Sequence, residues 1–410
     1  MADATDSQGY IAFRYRDFRL HCAARLVYGV ALSMQAVAIG WYIYTVTQST
    51  LALGLAGLSS FIPAAGLGLV TGHVADTYNR RVILGLAFTV SSLASLCLFL
   101  IAWTGWNNVT AIYICVFVAG SARAFANPAA QALTPNLVPK EHFANAITWY
   151  SSAWSAARIA GPALGGVLYI FGPTVPFFFA FACIATAATC IFRIKNPGPP
   201  RKGGGAITWT TLSAGLRFIY SRKVILGAIS LDLFGVLFGG ATALLPPIAR
   251  DILHTGPWGL GLLRSSPALG AIAMGAILAH MPIRGGAGKK MLVAVAIYGV
   301  ATIAFGFSEN IFLSMALLAI VGAADQVSVI VRHTAVQAET PDEMRGRVAA
   351  VNSIFVSGAS DLGEFESGLT AWWWGVVPSI AFGGAATICC AAAWSRLFPA
   401  LRDRDKLVEH

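Results

Sequence analysis

The feature that most constrains this chain is a succession of twelve apolar runs, each about as long as the core of a bilayer is thick. A helix rises about 1.5 Å per residue, so roughly 20 apolar residues cross about 30 Å of hydrocarbon. The runs are Leu26–Val46, Leu53–Gly72, Val82–Trp103, Ala111–Ala132, Ile147–Tyr169, Val175–Phe192, Val224–Ile248, Leu260–Met281, Met291–Phe307, Ile311–Val331, Val348–Ala371 and Val376–Leu397. Only 11% of the residues are charged and 57% are hydrophobic, against about 25% charged in an ordinary globular domain. So few charges cannot cover a water-facing surface, and disorder is excluded on the same ground. The expected fold is an all-α membrane protein with twelve transmembrane helices. The segment Lys195–Arg222 is rich in Gly, Pro and basic residues and splits the runs six and six. The expected domains are a bundle over residues 1–194, a cytoplasmic linker over 195–222 and a second bundle over 223–410.

The net charge of +10 resembles that of a nucleic-acid binder until the bases are placed. With the N-terminus in the cytoplasm, 22 of the 28 Lys and Arg fall in inside segments, and Arg250 alone falls outside. The positive-inside rule then puts both termini in the cytoplasm, and the bases become anchors facing anionic lipid. The polar N-terminus offers no cleavable signal peptide. The seven cysteines lie in or beside apolar runs without a CxxC pair and read as free thiols. There is no metal-ligand spacing and no phosphate-binding GxxxxGK[ST] loop, so neither a metal, a cofactor nor ATP hydrolysis is expected. His73, His142, His254, His280 and His333 form no cluster in the sequence.

The five remaining bases and five acids fall within the apolar runs, where each is costly unless it faces a cavity or a partner. Arg25, Arg123 and Arg158 are in the first half; Asp232, Asp325, Asp361, Glu364 and Glu366 are in the second, with Arg264 and Arg332. Asp325, Ser328 and Arg332 share one face of the tenth span, so Asp325 and Arg332 could form an internal pair. Asp361 and Glu364 share a face of the eleventh. Two carboxylates that close cannot easily both stay ionised in low dielectric, so one of them would hold a proton. The five acids are the candidates for proton coupling. Arg25, Gln35, Trp41, Arg123, Arg158 and Arg332 are the candidates for substrate binding. Arg25 lies near a membrane end and could equally snorkel. Arg264, placed in the first turn of the eighth span, reads as structural.

Two motifs are local. Gly72-His-Val-Ala-Asp76-Thr-Tyr-Asn79-Arg80-Arg81 joins the second and third runs, where Gly72 permits close helix approach and Asp76 can pair with Arg80 and Arg81. Gly161-Pro162-Ala-Leu-Gly165-Gly166 lies in the fifth, with a GxxxG spacing for tight packing and a proline for a bend. The approach to the fifth run, Gln131 through Pro139, Glu141 and Ala144–Ala146, is echoed before the eleventh by Gln337, Pro341, Glu343 and Gly346–Val348. Such an echo fits a six-plus-six repeat.

The Gly72–Arg81 stretch resembles the cytoplasmic loop motif GxxxDxxGRR of the major facilitator superfamily, with Asn79 at the second glycine. The Gly161–Gly166 stretch resembles the fifth-span motif of that superfamily's antiporters, although Tyr150 and Ala157 stand where the longer motif has glycine. With Met34-Gln35-x5-Trp41-x2-Tyr44, Arg158, Asp232–Gly240, Pro341–Val348 and Leu362–Gly368, the chain is similar to the enterobactin-exporter-like branch, the transmembrane secretion effectors, from about Phe13 to Pro399. The resemblance implies the major facilitator fold, two six-helix pseudo-repeat bundles, in a bacterial inner membrane, with the Asp76 loop as a conformational latch. It also implies a proton-coupled exporter of a small organic solute, a siderophore or a drug. The partners are then a small-molecule substrate, protons and membrane lipid, with no nucleic acid and a monomeric chain. A cationic-drug exporter, a lysolipid flippase and, from another class, an intramembrane enzyme on lipid-linked substrates are the alternatives. The short loops argue against the enzyme.

Overall fold

A computed structural model describes residues 9–195, 209–281, 283 and 285–403. Among them there is no strand, and twelve long helices stand where the apolar runs predict them. They are α1 (Arg16–Thr47), α2 (Thr50–Thr77), α3 (Arg80–Thr104), α4 (Val109–Leu133), α5 (Phe143–Tyr169), α6 (Thr174–Phe192), α7 (Lys223–Phe238), α8 (Pro257–His280), α9 (Ala287–Gly306), α10 (Ile311–Glu339), α11 (Asp342–Trp374) and α12 (Val376–Leu397). Among the described residues, ten helices are long and apolar enough to cross a membrane. The other two, α5 and α11, are more polar. They carry Arg158 and the trio Asp361, Glu364 and Glu366. Outward-facing side chains such as Leu93, Ile114, Val293, Val300 and Phe312 are apolar and exposed, as lipid rather than water requires.

The helices outrun their apolar stretches. α1 starts ahead of Leu26 and α10 continues to Glu339, because backbone bonding does not stop where hydrophobicity does. Short loops place asparagines at three helix starts. Asn79 Oδ1 accepts from the Arg81 N–H at 3.0 Å, Asn108 Oδ1 from Ala111 at 3.2 Å, and Asn310 Oδ1 from Phe312 at 2.9 Å. Each thereby satisfies donors that a helix start leaves open.

The seventh span, Lys223–Ile252, stands where Val224–Ile248 predicts it but is not a regular helix throughout. α7 ends at Phe238, and the chain continues through short turns from Ala241 to Ile252. Gly239-Gly240 and Pro246-Pro247 supply the reason: glycine lowers helix propensity, and proline removes backbone donors. The carbonyl freed at Gly239 accepts from the Tyr298 hydroxyl of α9 at 3.0 Å. The linker carries regular structure of its own. Its portion Trp209–Ser221 is helical and packs by Gly215 against Arg347 and Val351 of α11. Residues 196–208 of the linker, and Leu407–His410 at the C-terminus, lie outside the described residues.

By their contacts the residues group into two compact units, one from Met1–Ile39 with Ile62–Ala206, the other from Gly40–Phe61 with Ile207–His410. In the first, α3 packs on α4 and α6, and Arg81 donates to the Ile194 carbonyl at 2.5 Å. The inner part of α1 lies against α5. In the second, small residues set the close approaches: Gly270 of α8 on Ala319 of α10, Gly322 of α10 on Pro267 of α8, and Gly299 of α9 on Gly384 of α12. Lipid offers no hydrophobic drive between helices, so dispersion contact at small residues supplies it.

Candidate functional site

A deeply buried ion pair lies in the second unit. Asp232 of α7 faces Arg332 of α10, with Oδ2 to Nη2 at 3.3 Å and side chains only 4% and 3% exposed. Arg332 Nη1 also donates to Asn352 Oδ1 of α11 at 2.8 Å, so one guanidinium ties three helices. Its Nε is buried without a hydrogen bond. The salt bridge therefore joins α7 to α10. Beside the pair is a cavity of about 20 Å³, lined by Asp232, Asp325, Ser328, Tyr298 and Thr387. That is room for about one water. Ser328 Oγ is buried and has no hydrogen-bond partner. Asp325 is half-buried.

The other acids sit differently. Glu364 of α11 lies 3.8 Å from Arg264 of α8, and both are partly exposed. That arginine is in the second turn of α8, not the first. Glu366 Oε2 accepts from Ser367 Oγ at 3.4 Å. Residues 40–61 belong to this unit: Gly54 rests on the Phe365 carbonyl, Gly57 on Glu364, and Gly40 on Pro246. The Tyr44 hydroxyl donates to Asp251, and Arg250 lies 4.0 Å from the same carboxylate. Trp41 is half-buried in this unit.

In the first unit Arg25 does not snorkel. Its guanidinium lies over the Trp154 ring at 3.9 Å and the Tyr150 ring at 4.8 Å. The stack holds the charge inside the bundle by cation–π attraction, in place of a reach to the membrane edge. Tyr150 stacks in turn on His21, with centroids 4.8 Å apart, and His21 Nε2 is 3.1 Å from Thr134 Oγ1. Arg25, His21, Tyr28, Asn127 and Tyr150 border a cavity of about 10 Å³. Gln35 is buried, and its Oε1 accepts from Ser95 Oγ at 2.8 Å. Its side chain is engaged in tying α1 to α3. Arg123 is half-buried and Arg158 exposed. Sequence reasoning missed His21, Tyr150, Trp154, Tyr298 and Asn352. Tyr150 and Trp154 stand at i and i+4 on α5, and that aromatic spacing was the available signal.

Of the loop motif, Gly72 and Asp76 lie in the last turns of α2, and their side chains are outside the described residues. Arg80 is 4% exposed, and Arg81 bonds Ile194 as above. The Gly161–Gly166 motif acts through packing. Gly161, Pro162, Gly165 and Gly166 are all buried. A Cβ at Gly161 would stand 2.5 Å from the Ser33 Cβ, and one at Gly165 2.7 Å from the Met34 carbonyl oxygen. α5 runs unbroken through Pro162. Among the described residues, no group of three or more His, Cys, Asp or Glu could hold a metal.

The profile of the transmembrane secretion effectors matches residues 7–407. The enterobactin exporter EntS of Citrobacter koseri is 31% identical over 343 residues, 81% of this chain and 79% of that protein. Macrolide efflux protein A of Streptococcus pyogenes is 25% identical over 381 residues, 90% of this chain and 93% of that one. Among solved structures, an inward-facing bacterial homolog of the human lysosomal transporter Spinster superposes with a TM-score of 0.74. The match covers 95% of this chain and 98% of that one at 16% identity. The nucleoside transporter NupG, as a mutant, gives 0.73 at 13% identity, covering 93% and 100%. At such identities these likenesses speak for the fold alone.

Proposed function

The chain belongs to the transmembrane secretion effector family of the major facilitator superfamily, a family of transporters, and from that premise we propose that it exports a small organic solute from the cytoplasm in exchange for protons. It is an integral membrane protein. We place it in a bacterial inner membrane with both termini in the cytoplasm, as the distribution of its bases favours. The observation that carries the coupling is the buried Asp232–Arg332–Asn352 network with Asp325 across a water-sized cavity. Ionisable groups are costly at such depth and mark ion or substrate pathways. An antiporter needs a carboxylate that loads a proton on one side and empties it on the other.

The solute is an anionic polyphenol of the siderophore kind. Arg25 offers a positive charge held beside the Tyr150 and Trp154 rings. That chemistry suits a catecholate better than a cationic drug, although one relative is a macrolide exporter.

Proteoliposomes containing the purified protein, with an imposed pH gradient, test this reading. Iron-free enterobactin should accumulate against its gradient, and erythromycin should accumulate less. Arg25→Ala should weaken enterobactin transport by about 5- to 30-fold, the worth of a partly desolvated cation–π contact. Accumulation of neither solute, or of erythromycin alone and unaffected by Arg25→Ala, would count against it.

A further inference from the structure

Between Glu141 and Asp232 the sequence has no Asp or Glu, while the stretch that links the two halves carries Lys195, Arg201, Lys202, Arg217, Arg222 and Lys223. Its helical part, Trp209–Ser221, divides by face. Gly215 and Ile219, one turn apart, are buried. A Cβ at Gly215 would stand 2.9 Å from the Arg347 carbonyl oxygen and 3.1 Å from Val351 Cγ2, so this face is taken up by the first turns of α11. The opposite face, with Ser213, Arg217 and Tyr220, is exposed, Tyr220 at 68%. Arg222 and Lys223 follow it and are exposed as well. Arg222 lies over the Phe218 ring at 5.8 Å. None of these three bases joins an ion pair among the described residues. Lys223 is the first residue of α7. The three charges are therefore held within about two helical turns of the point where a span enters the bilayer, at the level of lipid headgroups.

We propose that the outward face of the linker helix is a docking surface for anionic phospholipid headgroups of the cytoplasmic leaflet, held by Arg217, Arg222 and Lys223 with Tyr220 beside them. The other cytoplasmic bases orient the chain; this face binds lipid and, through the Gly215 contact, fastens the start of α11 to the leaflet. The occupant follows from charge and place. Phosphodiester headgroups supply the negative charge that the acid-free linker lacks, and each base beside an anionic leaflet gains about fivefold in affinity. Tyrosine favours the interface, where its ring meets apolar chains and its hydroxyl meets headgroups. An acidic protein in the cytoplasm would account for the charge but not for its position beside a span. The proposal stands apart from the antiporter reading and does not depend on the solute.

Hydrogen–deuterium exchange of the full chain in nanodiscs tests this. In equal parts phosphatidylcholine and phosphatidylglycerol, the amides of residues 213–221 should exchange at least about fivefold more slowly than in phosphatidylcholine alone. Molar salt should remove the difference by screening. The triple variant Arg217→Gln, Arg222→Gln, Lys223→Gln should exchange alike in both lipids, while Arg217→Lys with Arg222→Lys should keep the difference, because charge is what the headgroups read. Unchanged exchange in α3 and α10 checks that each variant is folded, and the wild-type comparison decides the matter without them. Equal rates for the wild type in both lipids overturn the proposal, as does a folded triple variant that keeps the full lipid effect. Equal slowing by inorganic phosphate or by polyglutamate added to phosphatidylcholine nanodiscs overturns it too, since the face would then serve a soluble anion or an acidic protein.

Discussion

At the scale of single residues, the informative signal is which charges the chain tolerates inside apolar segments. Asp232 and Arg332 were visible as such in the sequence, but their partnership was not. They are a hundred positions apart, on helices whose adjacency no local spacing reveals, while Asp325 shares a helix face with Arg332 and so invited the nearer pairing. Arg25 shows the same limit: its charge was evident, and the Trp154 and Tyr150 rings that hold it were not. Removing one member of a buried pair leaves the other uncompensated. Arg332→Ala should thus destabilise the protein by about 3–5 kcal/mol. The double variant Asp232→Asn with Arg332→Met should recover much of that loss. Thermal unfolding in nanodiscs measures both. Equal destabilisation by the single and double variants would mean the pair is not the stabilising unit.

At the scale of elements, hydrophobicity located the apolar core of every span, since bilayer thickness demands a run of that length. It could not mark where helices overrun the apolar core, nor that α7 stops at Gly239. Hydropathy does not weigh the Gly239-Gly240 and Pro246-Pro247 pairs that break it, and Tyr298 then satisfies the Gly239 carbonyl from another helix. The Gly161–Gly166 motif was legible as a packing device, and the helix it meets emerges only from the fold. A side chain at Gly161 or Gly165 would run into Ser33 or the backbone of Val30 and Met34, whereas one at Gly346 meets nothing within 4 Å. Gly161→Leu and Gly165→Leu should therefore each lower stability by roughly 1–3 kcal/mol or more through overpacking. Gly346→Ala should be nearly neutral. Melting temperatures of the three purified variants decide this, and a tolerated leucine at Gly165 would contradict the tight α1–α5 contact.

At the scale of the whole molecule, the scarcity of charge and the one-sided placement of bases announced a polytopic helical membrane protein before any coordinates. The grouping of residues 40–61 with the second unit was not legible. It rests on contacts such as Tyr44 with Asp251 and Gly54 with Phe365, made far from the hairpin in sequence. The account's central claim is that charges embedded in these helices couple proton movement to solute movement. The direct measurement is proton flux in proteoliposomes loaded with a pH-sensitive dye, triggered by a gradient of iron-free enterobactin with no pH gradient imposed. The account predicts a proton current opposite to the solute in the wild type. Enterobactin crossing the membrane at full rate with no proton signal in the wild type would contradict it.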